Sequence, residues 1–388
     1  MSRLTSPNPV QSQQEERLHW VDTAKASAIL LVVLYHAAGT GVSMLFPGAT
    51  STAMTAWNEF SRMLLPVRMP LFFLAAGMLA SKAVHRPWRA AWRSRFADIL
   101  WPYILWSVVF GLVAGFAYRP ADPWGYTEFS LGTILQGGTA YWFLPVLVVF
   151  FVTAKLFRGH PHLTTLVAFL LLVAQPAVAR QIPEFVPDAL ATNIGRLGTF
   201  ALWYFIGCYA AAYVRRLAVT GTRALMVGSV VIYGGMAYLV YVRGTELPLL
   251  VVVTVTGLMA AITLSVWASR FAPVRAASKY LAARTLPIYL VHPVLLSVLG
   301  GLAIFLGGGR SPIPQDLLIL NVVAVPVMVA VITAGSLVAY DLAVGSRFRW
   351  LFKPPQRAVK AEVGAAAKGG SAEKESHQPL LTSPQKSD

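Results

Sequence analysis

Charge is what this 388-residue chain has least of: Asp, Glu, Lys and Arg make up 12% of it. An ordinary soluble domain carries roughly 25%. With 56% hydrophobic residues and a mean hydropathy of +0.60, the chain cannot cover a water-facing surface. Nor can it be disordered over most of its length. Cysteine is nearly missing as well, and a lone Cys208 excludes an intrachain disulfide and a cysteine-built zinc centre. The apolar runs are continuous, not alternating, which excludes a membrane β-barrel. The net charge of +16 does not point to nucleic acid, because the basic residues fall in short clusters between apolar runs. What remains is an all-α, polytopic integral membrane protein.

A helix needs about 20 mostly apolar residues to cross a bilayer core of roughly 30 Å. Such runs occur near 24–46, 63–82, 97–118, 141–157 and 163–180, and again near 197–214, 223–242, 247–268, 285–308 and 317–341. The reading is about ten transmembrane helices. The first is no signal peptide, because polar residues precede it and no cleavage site follows. With the N-terminus placed in the cytoplasm, the inside loops hold Lys82, Arg86, Arg89, Arg93, Arg95, Lys155, Arg158, Arg215, Arg216, Arg223, Arg270, Arg275, Lys279 and Arg284. The outside loops and span edges hold half as many: Arg62, Arg68, Arg119, Arg180, Arg196, Arg243 and Arg310. The acids Glu59, Asp122, Glu128, Glu184, Asp188, Glu246 and Asp316 also fall outside. The Lys/Arg bias therefore predicts cytoplasmic termini. Residues 1–17 and 346–388 read as unstructured cytoplasmic segments, the second basic, around a membrane domain at 18–345. Arg347, Arg349, Lys353 and Arg357, just after the last span, suit anionic lipid headgroups, and ordinary positive-inside anchoring accounts for them as well.

Ionisable groups within spans are costly and mark candidate sites. Lys25 and His36 are eleven residues apart on the first span, about 1100° of helix, so they share a face and lie roughly 16 Å apart along it. Asp22, one turn before Lys25, is placed to pair with it. Alone, Lys25 reads as a snorkelling interfacial lysine and His36 as a structural histidine. His292, about eight residues into the ninth span, adds a second imidazole at comparable depth. Two such rings suggest one buried site in which an imidazole acts as a base. Arg89, Arg93 and Arg95 form a basic cluster with Trp88 and Trp92, suited to phosphate. Positive-inside bias explains the same cluster without any ligand. Arg68 and Trp142 sit where a glycan could be met, or where interfacial residues belong. Tyr204 reads as packing, and Asp341 as a partner for a cation at the inner mouth.

The segment Trp20-Val21-Asp22-Thr23-Ala24-Lys25 through Val32-Val33-Leu34-Tyr35-His36 resembles the first-span signature of the acyltransferase-3 family of membrane O-acyltransferases. The branch it looks most like is the fucose 4-O-acetylase-like one. Four further segments match in order: Arg68 through Gly77, Arg95 through Tyr103, Tyr141 through Pro145, and Leu286 through His292. The resemblance covers roughly residues 17–345. It implies transfer of an acyl group, most often acetyl, from cytoplasmic acyl-CoA to a sugar hydroxyl of an envelope glycan or glycolipid at the inner (plasma) membrane. No metal is implied. On that resemblance His36 is the catalytic histidine and Lys25 its basic partner, with Asp22 beside it. Lys25, Arg89, Arg93 and Arg95 are the expected acyl-CoA contacts. Arg68, Trp142 and His292 are the expected acceptor contacts. Two departures stand out: Lys25 occupies a position where many members have arginine, and Asp98 replaces a second arginine three residues after Arg95.

The expected partners are acyl-CoA, a glycan or glycolipid and membrane lipids. Direct attack of the acceptor oxygen on the thioester and passage through an acyl-histidine are both open. Two other classes compete: a transporter or flippase of a lipid-linked sugar, and a non-enzymatic partner in envelope synthesis. The broken-helix inverted repeats of many transporters are not evident in the sequence.

Overall fold

The computed structural model describes residues 9–45, 52–245, 250–307 and 318–355, and among them every regular element is helical. In chain order the helices are α1 (Pro9–His36), α2 (Val42–Leu45), α3 (Thr52–Met63), α4 (Leu65–Ala80), α5 (Trp88–Trp92), α6 (Asp98–Tyr118), α7 (Pro123–Gly132) and α8 (Phe143–Leu156). They continue as α9 (Pro161–Arg180), α10 (Asp188–Tyr209), α11 (Ala211–Thr220), α12 (Arg223–Tyr241), α13 (Leu250–Ala268), α14 (Ala272–Ala282), α15 (Thr285–Gly307) and α16 (Leu318–Val344). Two π-helical turns interrupt this pattern, at Ala37–Gly41 and at Arg93–Ala97. Residues 1–8 and 356–388, and Glu246, Arg310, Asp316 and Arg357 from the orientation argument, lie outside the described residues.

Among the described residues seven helices are long and apolar enough to cross a membrane, and nine if the bent pairs α3–α4 and α10–α11 each count as one span. The expected segment at 141–157 is the exception. Its helix α8 has 14 residues, about 21 Å of rise, which falls short of a bilayer core of roughly 30 Å. The reason is local: Tyr141 and Trp142 lie in a turn before the helix, not in its first turn. The outer faces of α9 and α12 expose Leu166, Leu170, Val173, Val227, Val231 and Ile232. A surface so apolar suits lipid and not water.

The unstructured ends are corrected in part. Residues 9–17 belong to α1, so the first helix starts well before the apolar run. After α16, Arg347–Leu351 forms a 3-10 turn that folds back on α6. The Trp101 indole donates to the Trp350 carbonyl at 2.7 Å, and Trp106 donates to the Leu351 carbonyl at 2.8 Å. Phe352 is buried against Trp106 and Tyr340. Apolar aromatics inside a basic tail account for this order.

The bundle centres on α4 crossing α10. A Cβ added to Gly207 would stand 2.1 Å from the Leu74 carbonyl oxygen, and one added to Gly77 would stand 2.1 Å from the Tyr204 carbonyl oxygen. The two backbones therefore touch at a reciprocal pair of glycines, the small-residue contact by which helices pack in lipid. Beside the crossing, Phe73 is fully buried among Trp142, Phe143, Phe150 and Phe200. Tyr204 is buried against Phe150 and Phe205, in keeping with a packing role.

Candidate active site

Two chambers lie along α1, α4 and α15. We call the end bearing Lys25 and Arg95 inner and the opposite end outer, following the Lys/Arg bias. The inner chamber, about 350 Å³, is lined by Lys25, Arg95, Phe72, Leu147 and Thr285 among others. The outer one, about 860 Å³, is lined by His36, Arg68, Trp142, Thr192 and Arg196 among others. Val32, Met69 and Tyr289 line both and form the partition between them. The helical repeat explains this arrangement. Lys25, Val32 and His36 follow one another at steps of seven and four residues, so one stripe of α1 passes from the inner chamber through the partition to the outer one. On α4, Arg68 faces the outer chamber, Met69 the partition, and Phe72, Ala76 and Leu79 the inner chamber.

His36 is half-buried and lines the outer chamber. The α-helix gives way to the π turn at the next residue, Ala37. Such turns re-aim side chains and recur at functional sites. Arg95 lies within the other π turn, which turns it inward from a cluster that is otherwise exposed.

His292 is 1% exposed, and its ring centre lies 5.2 Å from that of His36. Its Nδ1 lies 3.0 Å from the Ile288 carbonyl oxygen. A carbonyl only accepts, so that nitrogen carries the proton, and the neutral ring keeps its Nε2 lone pair free. Nε2 is buried and has no hydrogen-bond partner. His292 is absent from the lining of either chamber. The expected acceptor contact at His292 is therefore indirect: the ring packs beside His36, while Tyr289, one turn earlier, lines both chambers and Leu286 lines the inner one.

The inner set also rearranges. Lys25 does not pair with Asp22. Its ammonium donates to the Ala282 carbonyl at 3.0 Å, at the end of α14. Helix C-termini hold cations in this way, through carbonyls that lack a helical donor. The ion pairs among the described residues are Arg62–Glu59, Arg93–Asp98 and Arg284–Asp341. Arg93 reaches the Asp98 carboxylate at 3.9 Å and is absent from the inner lining. Arg89 is exposed and also absent from it. Only Arg95 of the three lines the chamber. It donates to the Leu79 carbonyl at 2.9 Å, while its buried Nε has no partner. Asp341 takes Arg284 at 3.5 Å and accepts from the Tyr280 hydroxyl at 3.3 Å, as expected of a residue near the inner mouth.

On the outer side Arg68 is 5% exposed, and its guanidinium carbon lies 3.9 Å from the centre of the Tyr35 ring. Trp142 stacks on Phe200, with the Arg196 guanidinium 4.3 Å from its ring centre.

Three residues escaped sequence reading. The apolar pattern places Arg196 at a span edge, but α10 starts at Asp188, which puts it two turns inside the helix. Tyr289 carries no role in the sequence beyond its place between Leu286 and His292, yet it lines both chambers. Lys155 reads in the sequence as a loop anchor, yet it is 2% exposed and donates to the Val84 carbonyl at 3.2 Å and to the Arg86 carbonyl. It ties α8 to the 84–88 loop. A signal for Arg196 is the helix-forming Asp188-Ala189-Leu190-Ala191 stretch after Pro187, which starts α10 two turns ahead of it.

The family profile described as "acyltransferase domain", of the acyltransferase-3 type, matches residues 18–341. The inner membrane protein YcfT of Escherichia coli (strain K12) is 28% identical over 155 residues, covering 36% of this chain and 43% of that protein. The chain thus spans less than half the length of this curated relative. No solved structure matches. The family match covers the Lys25–His36 stripe, both chambers and the partition between them. The chain belongs to the acyltransferase-3 family.

Proposed function

We propose that this protein transfers an acyl group, acetyl before others, from acyl-CoA to a sugar hydroxyl of an envelope glycan or glycolipid, at the inner (plasma) membrane. The observation that carries this reading is the pair of chambers separated by Val32, Met69 and Tyr289, with His36 beside that partition. A donor and an acceptor entering from opposite sides meet there. Lys25 and Arg95 suit phosphate at the inner end, and the apolar run of Phe72, Ala76 and Leu147 beyond them suits a slender apolar arm. Acyl-CoA supplies the activated thioester. His36 takes the proton from the acceptor hydroxyl as its oxygen bonds to the acyl carbon, and the thiolate of CoA leaves as the carbon–sulfur bond breaks. Membranes containing the protein, given radiolabelled acetyl-CoA and an envelope glycan fraction, should yield labelled glycan. Silence with an intact, abundant protein would remove the acyltransfer reading.

His292 acts through His36. Its ring packs 5.2 Å from that of His36, centre to centre, and a base must be held at one angle to remove a proton; loosening such a group costs roughly ten- to a hundredfold in rate. The variant His292→Ala should therefore lower kcat by that amount and leave KM for the donor unchanged. A drop confined to KM would contradict a positioning role.

Lys25→Gln is expected to raise KM for acetyl-CoA about tenfold, the effect of one lost charge-assisted contact, while Lys25→Arg keeps most of the affinity. The matched comparison is acetyl-CoA against acetyl-pantetheine, which lacks the nucleotide phosphates. The lysine should matter for the first substrate only.

A further inference from the structure

The outer chamber is built for a negative charge. Its lining among the described residues contains Arg68, Arg196 and His36, and no Asp or Glu. Arg68 is the more telling of the two arginines. It is nineteen-twentieths buried, its guanidinium makes no hydrogen bond or ion pair among the described residues, and its buried Nη1 has no partner. Its guanidinium lies over the face of Tyr35, and a ring face offsets only part of a guanidinium's lost hydration. A buried charge left so exposed to its own desolvation is costly unless a counter-charge arrives. Arg196 is aimed differently but fixed as firmly. Its Nη1 donates to the Asn193 Oδ1 at 3.0 Å, and Asn193 is held in turn by the Gln136 carbonyl. That leaves the guanidinium spread over Trp142 with donors to spare. The ring and the cation together present one stacking face and one anion contact.

We propose that the acceptor taken by this chamber is an anionic sugar, a glycan or glycolipid unit carrying a carboxylate or phosphate, with Arg68 and Arg196 as its charge contacts and Trp142 as its stacking face. This rests on the acyltransfer reading for what happens to the sugar, but not for whether it binds. Guanidinium groups bind carboxylate and phosphate through paired N–H donors, so both anions share one recognition chemistry. The chamber's position decides in favour of the acceptor over the acyl group as the carrier of that charge. It lies beyond the partition from Lys25 and Arg95, and it is the larger of the two chambers.

The test is binding to the purified protein without any acyl donor, read as a shift in thermal unfolding. Glucuronate and glucose phosphate are compared with glucose as the neutral match. Both anionic sugars should stabilise the protein at concentrations about tenfold or more below those that glucose requires. Arg68→Gln and, separately, the half-buried Arg196→Gln should reduce this preference. Equal binding of all three sugars, or an unchanged preference in both variants, would overturn the proposal. A turnover arm separates the remaining source of charge. If anionic and neutral acceptors perform alike with acetyl-CoA, and Arg68→Gln impairs only succinyl-CoA, the arginines read a charged acyl group and the proposal fails. If anionic sugars bind selectively but no acyl group is transferred to any acceptor, the acyltransfer reading fails and this assignment stands.

Discussion

Replacing His36 by alanine is expected to lower acyl transfer about a thousandfold, with unfolding temperature and membrane abundance unchanged. General-base catalysis contributes roughly 10²–10⁴-fold, and among the described residues the other imidazole near the chambers, His292, is sealed behind His36 and lines neither. It cannot take over the proton. The ring of His36 opens on the outer chamber, so its removal leaves a gap continuous with existing space and not a closed cavity in the core. That is why the loss should fall on turnover and spare stability. The decisive measurement is label transfer from acetyl-CoA beside a thermal melt of the same preparation. Activity within tenfold of the parent would exclude His36 as the base.

The second large effect is structural. At the α4–α10 crossing, Gly207→Ala would place a methyl group 2.1 Å from the Leu74 carbonyl oxygen and 3.1 Å from the Met78 backbone nitrogen. Neither neighbour can rotate away, because both are main chain within a helix. Relief requires the helices to separate, which unpacks Phe73 and the rings around it. Overpacking of this kind costs about 3 kcal/mol. Gly228→Ala on the lipid side of α12 meets nothing within 4 Å and serves as the control. Gly207→Ala should melt at clearly lower temperature or fail to accumulate, and Gly228→Ala should behave like the parent. Equal stability of the two variants would show that the crossing is looser than described.

These two outcomes depend on features of unequal visibility in the sequence. The Lys25–His36 stripe was legible because a helix with a fixed repeat of 3.6 residues carries position into angle, and both groups are ones a membrane does not accept without cause. The meeting of His36 with His292 was legible for the same reason: two imidazoles at one depth. The partners of Lys25 and Arg93 were not. Asp22 is closer to Lys25 in sequence than Ala282 is, but the C-terminal carbonyls of α14 arrive from far along the chain. The split of the basic cluster was equally hidden, since it depends on a π turn that changes the angular step at Arg93–Ala97. Arg196 is hidden because Asp188, Thr192 and Asn193 interrupt the apolar pattern over the first two turns of α10 and conceal where the helix begins. In each case the sequence carried the chemistry of the residue, and tertiary packing chose its neighbour.

The central claim is that donor and acceptor spaces open on opposite sides and meet beside His36. The single native cysteine, Cys208, is buried, so cysteines can be introduced against a quiet background. Thr285→Cys marks the inner chamber and Thr192→Cys the outer one. In sealed membrane vesicles of known orientation, a membrane-impermeant maleimide should modify the inner marker only from the cytoplasmic side and the outer marker only from the opposite side. Added acetyl-CoA should protect the inner marker and leave the outer one reactive. Modification of both markers from one side, or protection of the outer marker alone, would contradict the account.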